Sequence, residues 1–220
     1  MCGRFSLATP EEILAEFFGL MEIPALTARY NIAPGQSVAA VGRRTAGTPP
    51  RLASLHWGFE APPGPRRRSG LLINARSETV HRLPAFAESF RTRRCLIPAD
   101  GFFEWKAEGG TKTPYHVRRR DGGLFALAGL WQTMPQRHAA GACVILTTRP
   151  NSLLAPLHDR MPVILSPRDF DRWLDPETRA TEALRPLLRP SSAEEWSAVR
   201  VGRAVNNARH DGPDCILPVP

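Results

Sequence analysis

The chain has 220 residues, 42% of them hydrophobic, enough for one well-buried domain or at most two small ones and too apolar for a disordered tail. Its longest apolar run, LFALAGLW, is far short of a membrane span, and no charged start with an apolar run and cleavage site opens the sequence, so the expectation is a soluble, intracellular protein. The formal net charge of +8 attracts nucleic acid electrostatically; because Lys106 and Lys112 are the only lysines among 29 basic residues, and Ala, Pro and Gly are abundant, a GC-rich coding sequence accounts for the same balance.

In chain order, ATPEEILAEFFGL predicts a helix, with Thr9 as N-cap, Pro10 at the first position, Glu12 completing a capping box and Gly19 as the stop. Ile13, Leu14, Phe17 and Phe18 then share a core-facing stripe. From there to residue 165 the chain reads as short strands broken by turns: SVAAVG, RLASLHWGF, GLLINAR, RRCLIPA, GFFEWK, TPYHVRR, GLFALAGLW, ACVILTT and MPVILS. Asp100-Gly101 falls between two of these runs and reads as a hairpin turn. APPGPRRRSG, residues 61–70, is a flexible insertion, either a solvated loop or one whose arginines track phosphates. A second capping box at Ser166-Pro167-Arg168-Asp169 opens a helix through Phe170, Trp173 and Leu174, and a third helix follows Asp175-Pro176 to Leu184. Strands with peripheral helices make the fold class α+β, without internal repeats.

Four stretches carry candidate chemistry. Met1 precedes a small residue, the situation in which methionine aminopeptidases act, so the mature chain would begin at Cys2. An α-amine of pKa about 7.7–8.0 is then separated by two carbons from a thiol of pKa about 8.5. The amine condenses with an aldehyde to an imine, and the tethered thiol adds to the imine carbon to close a thiazolidine ring. In LLINARSET an apolar strand delivers Asn74 and Arg76 at its polar end; the pair either orients a sugar and its phosphate or simply finishes a strand facing solvent. Glu104, between Phe103 and Trp105, is either an exposed strand carboxylate or one whose pKa aromatic surroundings raise into the acid–base range. His158 and Arg160 sit on a polar step before a buried strand, the first suited to proton exchange and the second to pairing with phosphate or Asp159. The remaining histidines show no metal-ligand spacing, and Cys2, Cys95, Cys143 and Cys215 form no C-x-x-C pair, which points to no metal, no disulfide framework and a reducing cytosol.

Taken together, MCGRF, RYNIAPG, WGF, LINARSET, IPADGFFEW, LHDRMPVIL and RAVNNARHDGPDCI resemble, in order and spacing, the SRAP family of SOS-response-associated, abasic-site-processing proteins over essentially the whole chain. The resemblance implies one domain spanning residues 1–220, built on a strongly bent, mostly antiparallel, barrel-like sheet with peripheral helices. It implies binding to single-stranded DNA and capture of the ring-opened abasic-site aldehyde as a thiazolidine crosslink, with a lyase capacity through the imine and an autoproteolytic removal of Met1. By the same resemblance Cys2 is the nucleophile, Asn74 orients it and the lesion, Glu104 shuttles protons and His158 assists opening of the sugar ring. Arg4, Asn31, Arg76, Thr148 and Arg160 suit phosphate or sugar contacts, Pro34 a wedge against a base, and Trp57 a stacking face. The implied protein is a monomer of the bacterial cytoplasm acting at the nucleoid, with single-stranded DNA carrying abasic sites as partner, no cofactor and no membrane.

One departure stands out. Family members commonly place another tryptophan shortly after the WG pair, where this chain runs into Pro62, Pro63 and Arg66 to Arg68, which predicts a steeper salt dependence of binding. Two rival readings remain from residues alone. Class II glutaminases also begin Met-Cys-Gly and hydrolyse amides with an N-terminal thiol, though Arg4 and Phe5 differ from the small apolar residues usual there. A passive single-strand binding module with an idle Cys2 is the other.

Overall fold

The computed structural model describes residues 2–22, 25–61, 70–134 and 141–219. In chain order its strands are β1 (Phe5–Leu7), β2 (Arg29–Ile32), β3 (Ser37–Gly42), β4 (Arg51–Trp57), β5 (Phe59–Glu60), β6 (Leu71–Leu72), β7 (Asn74–Arg76), β8 (Arg94–Ala99), β9 (Gly101–Glu108), β10 (Thr111–Arg119), β11 (Phe125–Gln132), β12 (Ala142–Thr148), β13 (Met161–Pro162), β14 (Ile164–Leu165) and β15 (Trp196–Arg200). The helices are short and peripheral: α1 (Glu11–Phe18), α2 (Ala87–Thr92), α3 (Phe170–Leu174) and α4 (Thr181–Leu184).

Five strands close on themselves in the order β12-β4-β3-β8-β11 and back to β12, a small barrel to which β7, β13 and β14 are added. All its pairings are antiparallel except β12 with β4 and β12 with β7. The runs RCLIPA and ACVILTT show no alternation because every residue of β8 and β12 is buried on one side by the barrel interior and on the other by what covers it. A second, five-stranded antiparallel sheet runs β15-β10-β9-β1-β2. The two are joined where β8 continues into β9 through Asp100, and by an aromatic cluster in which Phe125 of the barrel meets Trp196 edge-on at 4.9 Å and Phe102 at 6.3 Å. The architecture is thus α+β around a barrel-like, mostly antiparallel sheet, as the strand pattern and the resemblance imply.

Several local expectations are corrected. Asp100-Gly101 is not a hairpin turn, because β8 and β9 belong to different sheets. Asp100 instead ties down the start of the chain, accepting the backbone N–H groups of Ala8 and Thr9 and the hydroxyls of Ser6 and Thr9. Gly101 is required by packing: a Cβ there would lie 1.9 Å from His116 Nε2. With its hydroxyl turned to Asp100, Thr9 makes no cap for α1, which starts from Pro10; Gly19 does end it, at φ 60°. Leu14 and Phe18 are buried as expected, whereas Ile13 is 52% exposed. The expected third helix shrinks to α4, because Asp175 spends its carboxylate on the Glu177 N–H and the Thr178 hydroxyl in a turn. Neither Ser166 nor Asp169 caps through its side chain. Residues 62–69, including the arginine triplet, lie outside the described residues.

Candidate active site around Cys2

The amino-terminal segment is placed by pairing with β9. Phe5 lies opposite Phe102 and Ser6 opposite Gly101, and the Phe103 N–H donates to the Arg4 carbonyl at 3.0 Å, so the segment continues alongside Glu104 as it approaches Cys2. Register is reinforced inside the sheet. Ser6 Oγ donates to Asp100 at 2.6 Å and so receives the Nε2 proton of His116, 3.1 Å away. Burial holds that imidazole down at about 4, neutral under ordinary conditions.

Asn74 arrives from the barrel. One edge of β12 pairs first with β4 and then with β7, setting Asn74 opposite Ile145. Its Nδ2 donates to the Cys2 carbonyl at 3.0 Å, while its buried Oδ1 has no hydrogen-bond partner among the described residues. A buried acceptor left open beside Cys2 is what a site awaiting a donor looks like.

Cys2 is fully buried, and burial followed by the nearby Glu104 charge pushes its thiol far above the ordinary range. Glu104 is 1% exposed; desolvation raises its carboxyl from 4.5 to about 7, near neutrality where one group serves as both acid and base. His158 Nδ1 lies 3.0 Å from the Arg160 N–H and 2.8 Å from Asp159 Oδ1. The first contact suits a neutral ring and the second a protonated one. Burial holds this imidazole below its ordinary value, so near neutrality the amide contact prevails and the proton sits on Nε2.

A cleft of about 560 Å³ brings Glu104 and His158 together with Arg4, Trp105, Lys112 and Asn206. Two larger cavities, of about 610 and 720 Å³, lie by the β3–β4 turn and beside α1, and neither is lined by any of the four residues expected to carry chemistry. Trp105, Lys112 and Asn206 were not singled out from sequence. Trp105 directly follows Glu104 on β9, and its indole N–H donates to Asn206 at 2.7 Å, which fixes the ring against the cleft wall.

The residues expected to touch DNA divide. Arg4 lines the cleft, its guanidinium anchored by Asn31 Oδ1 at 2.7 Å and the Val205 carbonyl at 2.6 Å. Asn31 is fully buried and gives its amide to the carbonyls of Val205, Asn207 and His210, so it holds Arg4 and the wall rather than offering itself to a ligand. Trp57 is corrected: its ring is buried against Phe5 at 5.2 Å and its N–H donates to the Ile73 carbonyl, leaving no face for a base. Thr148 is also buried, opposite Met161. Pro34 sits half-buried at the second position of a tight turn, Ala33 to Gln36, in which Gly35 at φ 85° supplies the backbone only glycine adopts easily. Arg76 is exposed at the end of β7. Arg160 does not pair with Asp159 but grips Glu78 with two parallel bonds of 2.7 and 2.8 Å.

Comparison with known proteins matches residues 1–208 to the family described as SOS response associated peptidase (SRAP). The abasic site processing protein YoqW of Bacillus subtilis is 36% identical, covering 98% of this chain and 99% of its own. The abasic site processing protein YedK of Escherichia coli is 32% identical over the full length of both. Among solved structures, a Bacteroides thetaiotaomicron protein superposes with a TM-score of 0.82 at 22% identity over 99% of this chain, and a phage-related protein of Bordetella bronchiseptica with 0.73 at 30% over 91%. No described helix is long and apolar enough to cross a membrane.

Proposed function

This chain belongs to the SRAP family, and from that premise we propose that it processes abasic sites in single-stranded DNA by a covalent thiazolidine crosslink through Cys2 once Met1 is removed. The observation that carries the reading is the pairing of a buried thiol with a buried carboxyl whose pKa lies at about 7.

Each residue then has a task. With Met1 in place, burial keeps the Cys2 thiol protonated and inert. Removal of Met1, by an aminopeptidase or by the chain's own autoproteolysis, leaves an α-amine on the same residue. His158, with its proton on Nε2, assists opening of the sugar to the aldehyde. The amine adds to that carbonyl, and protonated Glu104 gives up its proton as water leaves, forming the iminium. The carboxylate so formed accepts the thiol proton while sulfur adds to the iminium carbon, closing the five-membered ring with the loss of one water overall. Asn74 supports the geometry by holding the Cys2 carbonyl and presenting its open Oδ1 to the incoming amine or lesion. If ring closure fails, the iminium is the electron sink for β-elimination of the 3′ phosphate, the lyase branch. Arg4 in the cleft and Arg76 at its strand end supply cations for flanking phosphates, and Pro34 meets a base.

The test is a denaturing gel of protein incubated with a single-stranded oligonucleotide carrying one abasic site. A shifted band is expected for the wild type, and none for Cys2→Ala or for a form with an uncleaved extension before Cys2. Persistence of the band in both variants would overturn the proposal; glutaminase activity in its place would favour amide hydrolysis.

A further inference from the structure

We propose that His210, Asp214 and Cys215 form a binding site for a borderline-soft divalent cation of the Zn²⁺ class, at the base of the cleft wall. His210 Nε2 lies 2.8 Å from each carboxylate oxygen of Asp214, the Cys215 Sγ approaches the His210 carbonyl at 3.8 Å, and one donor atom from each of the three side chains falls within 4.8 Å of the others. The set lies just past residue 208, where the family match ends.

The backbone is built for the approach. Asp214 and Cys215 ride on a 3-10 turn, Pro213–Ile216, whose Cys215 N–H returns to the Gly212 carbonyl at 3.0 Å. A Cβ at Gly212 would lie 2.6 Å from Asp214 Oδ1 and 3.4 Å from His210 Nε2, so a side chain there would displace the carboxylate from its present contact with the imidazole. The loop is fastened from outside the set. The His210 carbonyl takes the Asn31 amide at 2.7 Å, and Asp211 accepts the Tyr30 and Asn31 N–H groups and pairs with Arg29. These bonds fix the frame and leave the Asp214 carboxylate and His210 Nε2 to each other.

The donor chemistry selects the metal. One imidazole, one carboxylate and one thiolate supply two negative charges to a dication, and thiolate with imidazole favours Zn²⁺ over the all-oxygen cations. Donors around tetrahedral zinc stand about 3.3–3.8 Å apart, so closure draws the set in by about 1 Å and opens the His–Asp contact slightly. Asp214 is exposed and His210 partly so, and both are able to shift. Binding replaces the S–H bond of Cys215 by an S–metal bond and releases that proton to solvent. Cys215 packs with Phe103, Val201 and Val205, against which Tyr30 and Trp105 lie, so a metal there braces the wall that carries Trp105.

The experiment is titration of the full chain with Co²⁺, read by the sulfur-to-cobalt charge-transfer band, followed by displacement with Zn²⁺. Expected is a 1:1 complex that survives Cys2→Ala, loses the charge-transfer band in Cys215→Ser, and binds at least tenfold more weakly in Asp214→Asn. Because Asp214 is exposed, that variant folds, and Zn²⁺ should raise the wild-type Tm but not that of Asp214→Asn. Absence of the band in the wild type, its loss in Cys2→Ala, or its survival in Cys215→Ser would overturn the site.

Discussion

The barrel and the five-stranded sheet are made of the same kind of strand and are furnished oppositely. Every residue of β12 is buried, and its only polar ones, Thr147 and Thr148, come at its end; β11 runs buried and apolar from Phe125 to Leu130. The five-stranded sheet buries Ser6, Asn31, Glu104 and His116, each within or beside the segment that positions Cys2. Even the barrel's buried cation, Arg94, donates from all three of its nitrogens to the carbonyls of Phe90, Arg91, Trp173 and Asp175. One region is therefore furnished for stability, while the other buries polar groups whose desolvation opposes folding, among them the Glu104 carboxyl that the proposed chemistry uses.

The sharpest way to break that contrast is to damage the barrel alone. Leu127 of β11 is fully buried between β8 and β14, neither of which pairs with β1, the strand that leads to Cys2. Leu127→Ala should lower stability by about 2–5 kcal/mol in urea unfolding, the range for a large side chain removed from a packed core. Crosslinking by the fraction that remains folded should be unchanged. A loss below about 1 kcal/mol would mean that the barrel is not where stability resides.

Glu104 should behave the other way. Its carboxyl titrates at about 7 when folded against 4.5 unfolded. Below pH 4.5 both states are protonated and burial carries no electrostatic penalty; between the two values the unfolded state loses its proton first, and above 7 the whole penalty is present. Glu104→Gln should therefore gain stability over wild type at pH 8 relative to pH 5, by up to about 3 kcal/mol. It should also slow crosslinking by about 10²-fold or more, the usual weight of a general acid–base. An equal stability difference at both pH values would show that the burial of this carboxyl is not felt.

The same contrast explains what was legible in the sequence. Strands such as SVAAVG, RCLIPA and ACVILTT announce themselves because a buried strand needs only apolar, β-branched residues in a short run. The barrel's closure is carried by β12 pairing parallel to β4 on one side and antiparallel to β11 on the other, which no local pattern encodes. Glu104 was legible as a candidate because its aromatic neighbours adjoin it in sequence. Trp57 misled because WGF reads equally as a stacking face or as core, and only the ring's contact with Phe5 decides. His210, Asp214 and Cys215 match no ligand spacing, since a glycine bend rather than a helix or a zinc knuckle brings them together. Asn31 looked like a DNA contact because its partners, at Val205, Asn207 and His210, are more than 170 residues away.

Glu78 tests the border between the two regions with the smallest effect. Arg160 leaves the end of the barrel with its side chain 12% exposed and offers two parallel N–H groups, the fork that a phosphate also fits. Glu78 occupies that fork, and the bond to Arg160 holds its carboxyl below the usual range. Arg160 keeps a further bond to the Thr147 carbonyl at 2.6 Å, so it does not depend on Glu78 alone for its orientation. The carboxylate is about half exposed, so its ion pair adds less than about 1 kcal/mol to stability, and Glu78→Gln should unfold almost as the wild type does. DNA binding should change more than folding. With the anion gone, the fork accepts a phosphate without first giving up a charged partner, so affinity for undamaged single strands should rise a few-fold and fall more steeply with salt, by a slope of about 0.7 for one added phosphate. Weaker binding with an unchanged salt slope would instead make Glu78 a brace for Arg160, and the carboxylate would then belong to the stabilising side of the molecule.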